Sequence, residues 1–178
     1  REFINRPAQP PREQIGSVLY VGRLAAEKNI GTFLALAEQR PDLSFTVVGD
    51  GPLRDEVQQA AERLTNLRFT GWRSRGEVID FVDEHDVLLL PSAVEAFGTV
   101  ALEAMARARL VITSPACGIN EWPALAQGLF QLHEGEDLGE GLRRLEQWPA
   151  DDRIRLAEHG RELASEVNEQ TLTSWEEV

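Results

Sequence analysis

One cysteine, Cys117, stands in a chain of 178 residues, so no internal disulfide can form. The three histidines are not spaced with it as zinc ligands are, which removes a structural zinc centre and fits a reducing, cytoplasmic compartment. Long hydrophobic runs are also missing: the longest, Val87 to Pro91, is far short of the roughly 20 residues of a membrane-spanning helix. Cations are scarce. Eighteen Lys and Arg against thirty Asp and Glu give a net charge of −12, which argues against a nucleic-acid binder and against direct attachment to anionic lipid. Any anionic ligand must be held by a few local cations and by backbone amides. No starting Met and no signal-peptide core open the chain. The prolines of residues 1–14 read as an extended connector, and the sequence is expected to be a segment of a longer protein.

Apolar residues make up 42% and charged residues 27%, values that suit one domain with its own hydrophobic core, expected over residues 15–170. Short β-branched and apolar runs alternate with helical patterns, the arrangement of a parallel sheet wrapped by helices. Strands are expected at Ser17–Val21, Ser44–Val48, Leu67–Thr70, Val87–Leu90, Leu110–Thr113 and Leu129–Leu132. Helical spacing marks Ile30–Gln39 and Leu53–Leu64, and Ser74 with Glu77 forms a capping box opening a third helix. A fourth begins near Gly98, and beyond Glu136 the chain reads as helical. Right-handed crossovers turn this into an α/β, doubly wound, Rossmann-like six-stranded parallel sheet of order 3-2-1-4-5-6 with helices on both faces. Ligands of such sheets sit at the carboxyl ends of the strands, so the loops after strands one and four are the places to search.

The first strand runs into Gly22-Arg23-Leu24-Ala25-Ala26-Glu27-Lys28-Asn29, which sets two cations around a glycine turn. Gly22 lets a ligand approach the backbone, Arg23 offers a planar fork of donors and Lys28 a mobile point charge, a set suited to a diphosphate; solvated surface charges are the other reading. A Walker A loop is absent, and Gly49-Asp50-Gly51-Pro52-Leu53-Arg54 lacks the third glycine of a dinucleotide fingerprint, so a tight turn explains it. Gly71-Trp72-Arg73 follows the third strand, either as one wall of a flat pocket or as a packing anchor. In Pro91-Ser92-Ala93-Val94-Glu95-Ala96-Phe97-Gly98-Thr99, followed by Glu103, a loop carboxylate and a helix carboxylate face one opening. The free N–H groups at Gly98 and Thr99 form an anion site between them, while Glu95 and Glu103 suit hydroxyls of a sugar and a ribose; a capping Glu95 and a solvated Glu103 are the alternative. Glu121 either reaches the same opening or is a solvated loop residue. His85, His133 and His159 lie among charged residues and read as surface, and Trp148 and Trp175 as core or interface anchors.

In order, Val21-Gly22-Arg23-Leu24, Glu27-Lys28-Asn29, Val48-Gly49-Asp50-Gly51-Pro52, Phe69-Thr70-Gly71-Trp72 and Pro91-Ser92 through Glu95-Ala96-Phe97-Gly98 to Glu103-Ala104-Met105 resemble one family. The chain from about Ser17 to Val178 resembles the carboxyl-terminal, donor-binding half of a GT-B retaining glycosyltransferase of glycosyltransferase family 4. The resemblance implies that Arg23 and Lys28 bind the diphosphate of a UDP- or GDP-linked sugar, and that Phe97, Gly98 and Thr99 give backbone contacts to phosphates and sugar. It further implies that Glu95 contacts the donor sugar, Glu103 the ribose, and the loop of Gly71, Trp72 and Arg73 the nucleobase. The implied hexosyl transfer is retaining, by front-face attack without a bound metal or other cofactor, with Arg23, Lys28 and Glu95 in the catalytic set. An amino-terminal domain joined through residues 1–14 would carry the acceptor, and residues 171–178 would start the helix crossing back to it. The domain alone would then transfer nothing, and the complete enzyme could rest on a membrane surface. A nucleotide-sugar-binding or regulatory module of the same fold is the competing reading. Where the family places a glycine and a proline after its Glu-Ala-Met-Ala, this chain has Arg107-Ala108-Arg109-Leu110, so the turn must change shape or carry about 1 kcal/mol of strain. Cys117-Gly118 likewise replaces paired glycines.

Overall fold

The structure, a computed structural model, describes Phe3 and residues 6–176, with side chains to residue 167 in the last helix. Six parallel strands, β1 (Ser17–Val21), β2 (Ser44–Val48), β3 (Leu67–Phe69), β4 (Val87–Leu90), β5 (Leu110–Thr113) and β6 (Phe130–Gln131), form one sheet in the order β3-β2-β1-β4-β5-β6. With all of their residues described, seven α-helices accompany them: α1 (Ile30–Gln39), α2 (Arg54–Arg63), α3 (Arg75–Glu84), α4 (Thr99–Ala106), α5 (Pro123–Ala126), α6 (Leu138–Glu146) and α7 (Ala150–Glu176). The expected strands and topology are present, with β3 and β6 shortened at their ends. α7 passes unbroken through residue 170, so residues 171–176 continue a helix that begins at Ala150; residues 177–178 and the side chain of Trp175 lie outside the described part.

Alternation along each strand builds two apolar layers. Val18, Tyr20, Phe45, Val47 and Leu89 pack on one face with Phe33 of α1, Val57 of α2 and Leu142 of α6. Leu19, Val48, Leu88 and Leu90 pack on the other with Val78 of α3, Met105 of α4 and Leu125 of α5. Helix α7 leaves Ala157 in the first layer and Ala164 in the second. Both neighbours of β1 are parallel to it, yet β2 follows it in the chain and β4 returns to its other side. The loops after β1 and β4 therefore diverge, and the crevice between them is where a doubly wound sheet takes its ligand.

Most polar groups inside this frame are paired; among the described residues, the buried Nε atoms of Arg109 and Arg153 have no hydrogen-bond partner. The Asp86 carboxylate accepts from the backbone N–H groups of Gly16 and Ser17 at 2.9 Å each and from Ser17 Oγ at 2.8 Å, fixing the start of β1. His85, expected at the surface, is instead buried: Nδ1 lies 2.7 Å from the Phe81 carbonyl and Nε2 2.8 Å from Thr46 Oγ1. The carbonyl can only accept, so Nδ1 carries the proton and the threonine hydroxyl donates to Nε2. Flanking acidic residues concealed this, because the ring turns inward from the end of α3 while Glu84 does not. His133 is exposed, His159 is partly so, and Trp148 rests edge-on against Phe130 with ring centroids 5.4 Å apart.

The turn after α4 keeps the left-handed geometry with a residue that disfavours it. Ala108 has φ +53°, a conformation that costs a residue with a Cβ roughly 1–2 kcal/mol. Beside it, Arg107 is fully buried and all five of its N–H groups are used. Nε and Nη2 donate to the two Asp83 oxygens at 2.8 Å, Nη1 donates to the carbonyls of Phe3 at 3.0 Å and of Arg6, and Nη2 donates to that of Pro7 at 2.6 Å. Arg109 donates to the carbonyls of Gln9 and Pro10, and Arg153 to that of Glu13. The segment preceding β1 is thus docked through its carbonyls onto three buried guanidinium groups.

Removing one member of a buried charge pair strands the other, so Arg107→Ala is expected to cost about 3–5 kcal/mol in urea unfolding and to open the segment before residue 14 to protease. His85 gives a pH signature. Burial holds its imidazole below the ordinary value, so below about pH 6.5 the unfolded chain gains a proton that the folded chain resists. Stability is expected to be full above that pH and to fall by up to about 1.4 kcal/mol per pH unit below it, with the slope flattened in His85→Gln.

Candidate functional site

Register decides how the loops at the carboxyl ends meet. Val21 lies opposite Val48, which brings Gly22 against Gly49, and a Cβ on Gly49 would sit 1.8 Å from the Gly22 carbonyl oxygen. A Cβ on Gly51 would sit 2.5 Å from the Leu24 carbonyl oxygen, and its φ of +155° belongs to the glycine region. Backbone bonds tie the loops together: Gly22 N–H to Val48 O at 3.0 Å, Leu24 N–H to Asp50 O at 2.9 Å, and Gly49 N–H to Gly71 O at 2.9 Å. Gly49-Asp50-Gly51-Pro52 is a structural turn that carries the loop after β1. Buried Tyr20 completes it by donating its hydroxyl to the Arg23 carbonyl at 2.8 Å.

On this platform Gly22, Arg23, Trp72 and Arg73 line a cleft of about 320 Å³, floored by Val21, Val48 and Val78. Trp72 is 68% exposed, so it walls the cleft and does not anchor the core. Arg23 reaches toward solvent with Glu27 3.7 Å away. Lys28 closes a 3-10 turn, Ala26–Lys28, that Asn29 ends in the left-handed region. Its ammonium donates to Glu95 Oε2 at 2.6 Å, and both side chains are about one-fifth exposed, at 21% and 20%. Lys28 and Glu95 are therefore neither a solvated surface charge nor a helix cap, the competing readings of the sequence, but one partly buried ion pair across the crevice between β1 and β4. The main chains follow: the N–H groups of Ala93 and Val94 donate to the Glu27 carbonyl at 2.9 and 3.3 Å.

The loop after β5 supports the same strip. Glu95 bridges to Cys117, Gly118 N–H donates to the Glu95 carbonyl and Ile119 N–H to that of Phe97, both at 2.9 Å. A Cβ on Gly118 would lie 2.0 Å from the Ala96 carbonyl oxygen, so this glycine is indispensable where the Cys117 position is not. Gly98, at φ +87°, is the N-cap of α4, and no side chain caps that helix, which leaves its first amides near Thr99 pointing outward with the positive end of the helix dipole. Glu103 lies one turn on, mostly buried, and Oε1 accepts from Arg75 at 2.8 Å. Burial pushes its carboxyl up and Arg75 opposes this. Glu121 ends the second 3-10 turn, Gly118–Glu121, exposed to solvent.

Sequence reading passed over Tyr20, Arg75 and Trp122. Trp122 is half-exposed and packs edge-on against Phe97 with centroids 5.4 Å apart; only its nearness to Glu121 in the chain could have pointed to it. Among the described residues, no three His, Cys, Asp or Glu side chains gather as a metal site. Nor is any described helix long and apolar enough to cross a membrane.

Residues 2–163 match the family described as glycosyl transferases group 1. The chain belongs to that family, which is of GT-B type. Glycogen synthase of Mycobacterium tuberculosis is 34% identical over 121 residues, 64% of this chain and 29% of the synthase. The lipopolysaccharide core biosynthesis glycosyltransferase LpsE of Rhizobium meliloti is 28% identical over 180 residues, covering 97% of this chain and 50% of LpsE. Among solved structures, the glycosyltransferase WaaG, involved in lipopolysaccharide biosynthesis, superposes with a TM-score of 0.70 at 29% identity, over 86% of this chain and 44% of WaaG. Anabaena HepE, solved with UDP and glucose, superposes with a TM-score of 0.74 at 22% identity, over 92% of this chain and 49% of HepE. The chain thus spans half or less of the length of these group 1 relatives.

The Gly118 contact yields a direct check. Cys117 is buried and its thiol is pushed up to about 11, so at pH 8 on the order of one in a thousand is thiolate. The native thiol is expected to resist a maleimide for hours. Gly118→Ala should separate the two loops and make Cys117 react at least about tenfold faster, read by mass spectrometry.

Proposed function

We propose that this chain is the donor-binding, carboxyl-terminal half of a retaining, family 4 glycosyltransferase that moves a hexosyl group from a UDP- or GDP-linked sugar. The observation that carries the reading is the Lys28–Glu95 pair spanning the switch-point crevice beside the uncapped start of α4. A cation, outward amides and a carboxylate side by side suit a diphosphate joined to a polyhydroxyl ring. The diphosphate takes Lys28 and Arg23, together with the amides at Gly98 and Thr99; the freed Glu95 carboxylate accepts from sugar hydroxyls. The cleft of Gly22, Trp72 and Arg73, bordered by the loop that Gly71 opens, receives the base, and Glu103 the ribose.

In the transfer, an acceptor hydroxyl attacks the anomeric carbon from the face that the diphosphate leaves. The bond to the diphosphate breaks, the new glycosidic bond forms, and a departing diphosphate oxygen takes the hydroxyl proton. Lys28 and Arg23 stabilise the charge that develops on the leaving group, so no metal or cofactor is assigned here. An amino-terminal domain supplies the acceptor and excludes water, and this half alone turns nothing over. The carboxyl-terminal domain of a group 1 family protein from Francisella tularensis, which superposes over 86% of its own length with a TM-score of 0.68, supports that placement, and the UDP held by HepE supports the ligand class. The enzyme is placed in the cytoplasm; the net charge of −12 opposes attachment of this half to anionic lipid, so a peripheral membrane contact of the complete enzyme falls to its amino-terminal domain.

Calorimetric titration with UDP, GDP and ADP without added metal tests the reading. One of them is expected to bind, and Arg23→Ala and Lys28→Ala should each weaken it about tenfold or more, the worth of a charge-assisted hydrogen bond. Binding that neither substitution changes would refute the assignment.

A further inference from the structure

Arg75 is joined to the proposed site through Glu103, and no motif explains it. It occupies the first position of α3, where the helix dipole repels a cation, and its neighbour Ser74 already caps the helix with Glu77. A residue that breaks a local rule without a local gain points to a role elsewhere. Its guanidinium donates to Glu103 Oε1 at 2.8 Å. From the other side it lies over the ring of buried Phe3, 5.6 Å from the centroid. Stability does not account for the pair: Arg75 is 62% exposed, and ion pairs with an exposed partner contribute little. Glu103 is different, since its carboxylate is only 16% exposed.

Resting on the nucleotide reading above, we propose that Arg75 is a positioning residue that fixes the Glu103 carboxylate, ionised and with Oε2 free, to accept hydrogen bonds from a ribose diol. Burial favours the protonated acid, which would offer one acceptor oxygen and a competing donor. A guanidinium on Oε1 keeps the negative form and sets the plane of the carboxylate, as a planar fork does better than a point charge. The loop between β3 and α3 then reads two parts of one nucleotide, the base with Trp72 and Arg73 and the ribose through Arg75. Phe3 brings the segment preceding β1 against the same guanidinium.

The test is a ligand comparison on the chain as it stands. Affinities for UDP, GDP and ADP and for their 2′,3′-dideoxy forms are measured by calorimetry for the native chain, Arg75→Ala, Arg75→Lys and Glu103→Gln. The native chain is expected to prefer the ribose form of its nucleotide by about tenfold or more. Arg75→Ala should reduce that preference to within about threefold of unity, matching Glu103→Gln, while binding of the dideoxy form stays near its native value; Arg75→Lys should restore part of it. An equal loss for both ligands, or a preference left intact, would overturn the positioning role while leaving the donor site standing. A native chain that binds none of the three would overturn the nucleotide reading and the ribose role with it.

Discussion

Backbone meets backbone at the carboxyl edge of the sheet, and the site depends on that approach. At Gly49 against Gly22 and at Gly118 against Ala96 there is no space for a Cβ. The hydrogen bonds that follow tie the loop after β1 to those after β2 and β4, and the loop after β4 to that after β5. Without the first contact the Arg23 turn would not be carried by the turn of Asp50; without the second, the strip from Glu95 to Phe97 would lose its floor. Side chains can then project from loops that behave as one body, which is what a binding constellation on loops needs if it is to keep its geometry.

Charge is arranged against the bulk of the protein. A chain of net charge −12 presents two cations at the crevice, each already beside a carboxylate: Lys28 with Glu95 and Arg23 with Glu27. The partnership is unequal. Arg23 is exposed and loosely held, whereas Lys28 and Glu95 are sheltered and close, so each offsets part of the other's desolvation and the two stay aligned across the crevice. Glu103 repeats the pattern with Arg75.

Much of the fold was readable because period and punctuation agreed: the strands at Ser17–Val21, Ser44–Val48, Val87–Leu90 and Leu110–Thr113 and the helix at Ile30–Gln39 fall where the apolar spacing places them. The capping box at Ser74 and Glu77 is formed in full. The sequence puts Gly22, Lys28, Glu95 and Gly98 in the loops after the first and fourth strands, and those loops do flank the crevice at the switch point of the sheet. Arg75 and Tyr20 were not legible, because a partner 28 residues on or a backbone acceptor leaves no periodic trace. His85 misled through its acidic neighbours. Arg107 and Arg109 looked like missing turn residues; the lost glycine is replaced by a strained Ala108, and the arginines serve a separate purpose on the preceding segment.

That purpose bears on where the folding unit ends. A boundary drawn at the edge of the sheet, near residue 14, would remove the carbonyls of Phe3, Arg6, Pro7, Gln9, Pro10 and Glu13 that three interior guanidinium groups require. Arg107 would keep Asp83 and lose its other acceptors, leaving donors buried without partners. The proline-rich stretch is in that sense part of the domain: a strip of main chain whose carbonyls accept from the domain's own arginines. Grafting, permuting or shortening this domain therefore has to carry the strip along.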